Sequence, residues 1–141
     1  AGSSGNGAKK LMSICTWYRE AYEPVTGFDS FAEYYTKHRT DGQVLEDWKA
    51  TALRAARHER LDVVHTDEHG NCTGIACIVL EDDINLGKCC TVMCMVSVDS
   101  MKFMRAVLRI CTAVARNQGC KYIAYTQTIS RLEYRLKYME V

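Results

Sequence analysis

Apolar residues recur at two different periods along the chain, and the change of period divides it. In the first part the spacing is helical. Leu11, Ile14, Cys15 and Tyr18 share one face of a helix predicted over residues 11–22, which Glu23, Pro24 and Gly27 end. Ser30 and Glu33 form a capping box before the run SFAEYYTKHR, and Thr40, Asp41 and Gly42 close that second helix. A third is predicted over residues 44–60, where Val44, Leu45, Trp48, Ala52 and Ala55 repeat, with acids early and bases late.

The period then shortens. LDVVHT and CTGIACIVLE, joined by the polar turn DEHGN, predict an antiparallel hairpin. Beyond the acidic Glu81, Asp82 and Asp83, the β-branched and sulfur-rich run KCCTVMCMVSV predicts a long buried strand. Asp99 or Ser100 can cap a helix carrying Met101, Met104, Val107 or Leu108, and Cys111 on one side, ended by Asn117, Gln118 and Gly119. YIAYTQT is a fourth strand, after which Ser130 opens a last helix with Leu132, Leu136 and Met139 in register. A strand, a crossover helix and a strand make a parallel pair, so the expected class is α/β (α+β) with a mixed central sheet.

Composition narrows the function classes. The 141 residues carry 18 Lys plus Arg against 17 Asp plus Glu, a net charge of +1, which gives no general attraction to nucleic acid. No apolar run reaches the roughly 18 residues that span a bilayer, so no membrane association is expected. The first ten residues, AGSSGNGAKK, are Gly- and Ser-rich and are expected to be a flexible segment before one domain over residues 11–141. Most of the eight cysteines lie in apolar periodic segments, where a free thiol behaves as a small hydrophobe. That usage points to a reducing compartment, the cytoplasm. His65, His69, Cys72 and Cys77 stand close together, but no pair has the two-residue gap of a zinc ribbon, and no metal site is assigned.

From residue 61 onward the order of elements resembles the GCN5-related N-acetyltransferase (GNAT) fold. DVVHTDEHGNCTGIACIVLE is similar to that family's central hairpin, with Gly74 where its second strand begins, and KCCTVMCMVSVD to the next strand. MKFMRAVLRICTAVARNQGC resembles the cofactor-side helix, and SRLEYRLKYMEV the helix in which the family often carries a tyrosine. The resemblance implies acetyl-coenzyme A as cofactor. It places the carbonyl-polarising backbone at Met95, Val96 and Val98, charge for the diphosphate at Lys102 and Arg105, and Gln127 near the pantetheine arm. Tyr134 takes the role of acid for the leaving thiolate, and Glu81, or His65 in the partner strand, that of base.

Two departures accompany it. VSVDSMKFMRAV holds no glycine where the family grips the diphosphate with an amide nest, and Asp99 puts an acid there. The chain also ends at Val141, before the strands that usually complete the acceptor side, which leaves a sheet edge open to a protein partner or a second copy. Short divergent chains of this kind resemble GNAT-like proteins of bacteriophages. Two readings therefore stand: an acyl-CoA-dependent N-acyltransferase, for which the cleft must stay clear of Met95, Val98, Met101 and Phe103, and a catalytically silent domain with a structural or interaction role, in a virion if phage-encoded.

Overall fold

A computed structural model describes residues 13–38, 42–98, 100–130 and 132–141, with the side chains of residues 42–44, 100, 127–130 and 134 outside the description. The chain forms β1 (Ser13–Arg19), α1 (Phe28–His38), α2 (Gly42–Ala55), β2 (Arg60–Thr66), β3 (Cys72–Asp83), β4 (Gly87–Ser97), α3 (Ser100–Gln118), β5 (Tyr122–Ser130) and β6 (Glu133–Glu140). The six strands make one sheet in chain order. Every neighbouring pair is antiparallel except β4 and β5, which α3 joins in parallel. This is the mixed α+β sheet expected.

Helices cover both faces. Ile75 packs with Phe31, Tyr35 and Val96, with Leu45 and Trp48 against them, whereas the next residue, Ala76, packs with Phe103, Val107, Cys111 and Ile123. Adjacent strand residues point to opposite faces, so α1 and α2 lie on one side of the sheet and α3 on the other. The apolar stripe of α3, through Phe103, Val107, Cys111 and Ala115, is wholly buried. Gly74 is the close approach that allows it: a Cβ there would stand 3.1 Å from the Phe103 ring and 3.2 Å from Ser97 Oγ.

Several expectations are corrected. Residues 13–19 are a strand instead of a helix, because Ile14, Thr16, Trp17 and Tyr18 are β-branched or aromatic and pair along β2 from Ser13↔Thr66 to Arg19↔Arg60; Leu11 lies outside the described residues. The helix opened at Ser30 begins instead at Phe28, with Phe31 N–H on the Gly27 carbonyl at 2.9 Å, so Ser30 sits inside the first turn. Thr40 and Asp41 lie outside the described residues. The third helix stops at Ala55, since Arg60 belongs to β2. Residues 133–140 form β6, paired with β5 from Tyr122↔Glu140 to Ser130↔Glu133. Tyr134, Leu136 and Tyr138 alternate with Arg135 and Lys137, a period of two that outweighs the helical spacing of Leu132, Leu136 and Met139. The edge beyond β5 is thus filled by the chain itself, and β6 is the outer strand on that side.

No helix among the described residues is long and apolar enough to cross a membrane.

Candidate functional site

The parallel ladder between β4 and β5 is short. It runs only from Cys89↔Tyr122 to Val92↔Tyr125, after which β4 continues along β3 to Ser97↔Gly74 and β5 continues along β6. The β4–β5 ladder therefore does not extend to residues 93–97 and 126–130. The divergence begins at a bulge. Cys77 pairs with Cys94 and Ile78 with Val92, so Met93 is an extra residue on β4. A bulge bends its strand and resets its phase. Before it, Cys90 and Val92 face α3; after it, Met95 takes that side, while Met93, Cys94 and Val96 face α1 and α2.

The open end of this gap meets the start of α3. His65, Gly74 and Ser97 lie side by side across β2, β3 and β4 at that level. His65 is buried, with Nδ1 at 2.8 Å from Thr73 Oγ1, and its ring stacks on Phe103 at a centroid distance of 5.8 Å. Two polar side chains are thereby held beneath the first turn of α3.

The residues singled out from sequence are placed unequally. Met95 is half-buried against the α3 core, Val96 is buried on the opposite side, and Val98 packs against the α1 cluster with its N–H on the Thr73 carbonyl at 3.0 Å. Phe103 is core, and Met101 is exposed, so the four side chains of which the gap must stay clear point in different directions. Lys102 and Arg105 are exposed on the first turns of α3. Asp99 lies outside the described residues, as do the side chains of Gln127 and Tyr134. The backbone places Gln127 opposite Arg135 and Tyr134 opposite Thr128, beyond the point of divergence, on a strand instead of the helix expected. Glu81 pairs with Cys89 at the closed end, four residues before Met93 and about 13 Å from it along the strand.

Sequence patterning passed over two features. Pairing across the sheet puts Cys77 against Cys94 beside the bulge; their shared hydrogen bond, then burial, push the Cys77 thiol well above the ordinary thiol range. At the closed end, the Tyr138 hydroxyl donates to Asp83 Oδ2 at 2.6 Å, linking β6 to the end of β3. The Asp83 carboxylate also accepts from the amides of Asn85 and Leu86, and these bonds, Tyr138's first, hold it below the usual carboxylate range. A depressed carboxyl contributes stability above its unfolded value, lost as pH falls through the folded one. In Tyr138→Phe the Asp83 carboxyl should titrate closer to the ordinary range, as followed by carbon NMR; an unchanged midpoint would show that the two amides suffice.

All eight cysteines are free, seven of them buried and Cys15 exposed. Among the described residues no three His, Cys, Asp or Glu side chains converge to hold a metal ion.

Known structures share this architecture. A protein of Pyrococcus furiosus named as a candidate acetyl transferase superposes with a TM-score of 0.54 at 14% identity, over 85% of this chain and 86% of that one. The GCN5-related glucosamine N-acetyltransferase region of a fungal multi-domain GH3 beta-N-acetylglucosaminidase superposes with a TM-score of 0.57 at 14% identity, over 89% of this chain. The fold is that of the GCN5-related N-acetyltransferases. This chain matches only 15% of the length of the fungal protein. No protein-family model matches the sequence, and no curated protein matches it. In this chain the short parallel ladder and the bulged fourth strand open the gap in the sheet.

Proposed function

We propose that this protein is an acyl-CoA-dependent N-acyltransferase, with acetyl transfer to an amine as its reaction. One observation carries the reading: two parallel strands stop pairing with each other at a bulge and run on as separate edges of a gap. Such an edge suits the amide-bearing pantetheine arm of coenzyme A, which can complete the interrupted ladder on the side of residues 93–97. When bound, the cofactor supplies an activated acyl thioester. In this reading the backbone near Met95, Val96 and Val98 orients its carbonyl, Lys102 and Arg105 meet the diphosphate by charge, and Gln127 on β5 flanks the arm. Tyr134, near the open end, is the acid in this reading. Glu81, on β3 at the closed end, is too far from the gap for direct contact and would act only through water or on an approaching amine.

A second reading, a domain that keeps the fold without the chemistry, has its own observation. β6 is the outer strand of the sheet, and on it Leu136 and Tyr138 remain 58% and 38% exposed, a surface for a protein partner or a second copy. Nothing described here supports a phage origin or a virion role.

Calorimetric titration with acetyl-coenzyme A separates the two. The first reading expects a micromolar dissociation constant, weakened at least tenfold in Lys102→Ala with Arg105→Ala. Absence of heat at millimolar ligand in folded protein, with a dimer in sedimentation, would overturn it in favour of the second.

A further inference from the structure

A cavity of about 280 Å³ opens where the end of α2 meets the bulge of β4, lined by Thr51, Arg54, Arg57, His58 and Met93. Its lining holds two guanidinium groups and an imidazole, and no carboxylate. Helix C-termini favour one cation for their own exposed carbonyls, a part Arg54 can play from the last turn. Arg57 lies past the helix and adds positive charge that the helix end does not require, with the His58 ring beside it in the lining.

The walls are held in place. Arg54 Nη2 donates to Thr51 Oγ1 at 3.1 Å, and Thr51 Oγ1 donates to the Asp47 carbonyl at 3.1 Å. Backbone bonds from Arg57 N–H to the Arg54 carbonyl and from His58 N–H to the Ala55 carbonyl tighten the turn, while buried Arg60 fixes the Ala56 and His58 carbonyls, both at 3.2 Å. The floor is Met93, the residue at which β4 parts from β5. A ligand seated here thus lies at the vertex of the gap, on the face opposite α3.

We infer that this cavity binds the oxyanion of a small amine, a carboxylate or a phosphate, and so selects an anionic acceptor whose amine reaches toward the edge of β4. The assignment of the ligand as acceptor rests on the N-acyltransferase reading; the oxyanion site does not. The volume lies just below the range for drug-sized ligands, which suits a metabolite-sized amine. Planar guanidinium groups match carboxylate and phosphate by paired N–H donors.

Backbone amide NMR with matched probes tests the site without coenzyme A. Phosphoethanolamine against ethanolamine, and β-alanine against propylamine, differ in the oxyanion alone. The inference expects phosphoethanolamine or β-alanine to shift Thr51, Arg54, His58 and Met93, the neutral-tailed amines to leave them in place, and Arg54→Gln with Arg57→Gln to weaken binding at least tenfold. Both arginines are exposed, so a matching thermal melt will show that the variant folds. Neutral-tailed amines binding as well as the anionic ones, no shift with either anionic probe, or unchanged affinity in the variant would overturn it. Oxyanion binding without acetyl-coenzyme A binding would sink the enzymatic reading and leave this site standing; the reverse would sink this site alone.

Discussion

Replacing Asp62 by Ala is expected to cost the fold about 3–5 kcal/mol, the loss typical when one member of a buried ion pair is removed. Asp62 and Arg60 have no side-chain exposure, and the Arg60 Nε stands 2.8 Å from Asp62 Oδ1. The carboxylate also accepts from Thr26 N–H at 2.8 Å and Thr26 Oγ1 at 2.9 Å, and Thr26 Oγ1 accepts in turn from Arg19 Nε at 2.8 Å. Arg60 reaches the carbonyls of Glu23, Ala56 and His58 at 2.6, 3.2 and 3.2 Å. The pair therefore ties the β1–α1 and α2–β2 connections to one strand. Its net worth against an apolar pair is small, but the asymmetry is large: without Asp62 a guanidinium stays buried with carbonyls alone. Urea unfolding should show the loss, and the double variant with Arg60→Ala should lose less than the sum of the two single changes. A loss below about 1 kcal/mol, or strict additivity, would mean that water relieves the buried charge.

This network marks the limit of what could be read beforehand. Patterns that repeat are legible: the hairpin turn DEHGN, the apolar run of β4 and the extent of α3 stand where their periods put them, although the buried stripe of α3 runs through Phe103 and leaves Met101 exposed. The mixed sheet with a parallel crossover followed from their order. Single-residue events are different. One extra residue at Met93 leaves the apolar run of β4 unbroken, yet it decides which side chains face which helix and where the sheet opens. Arg60 reads as the basic end of a helix until pairing shows it buried on β2. Short segments with two periods at once are decided by their neighbours: residues 133–140 alternate and β5 offers an edge, so they pair. The change moves Tyr134 from a helix to a strand while keeping it near the open end. Glu81 lies at the closed end because strand direction, unseen in a linear motif, sets which end of β3 meets the gap.

Phe103→Ala should have an effect of the same order, about 3–5 kcal/mol for a fully buried aromatic ring. The ring, 1% exposed, lies over Gly74 and against His65 and joins the first turn of α3 to β2 and β3. Removing it opens a void beside the His65–Thr73 hydrogen bond and frees the helix end that follows the gap, so thermal stability and protection of the α3 amides should fall together. A cycle with Gly74→Ala isolates the cause. In the parent chain that alanine meets the ring at 3.1 Å and must displace it, costing about 1–3 kcal/mol as overpacking. With the ring gone the two shortest contacts are removed and Ser97 Oγ stays at 3.2 Å. Gly74→Ala should therefore cost less in the Phe103→Ala background, with a coupling of about 0.5–3 kcal/mol. Equal costs in both backgrounds would show that the contact with Ser97, and not the packing of α3, sets the cost at that position.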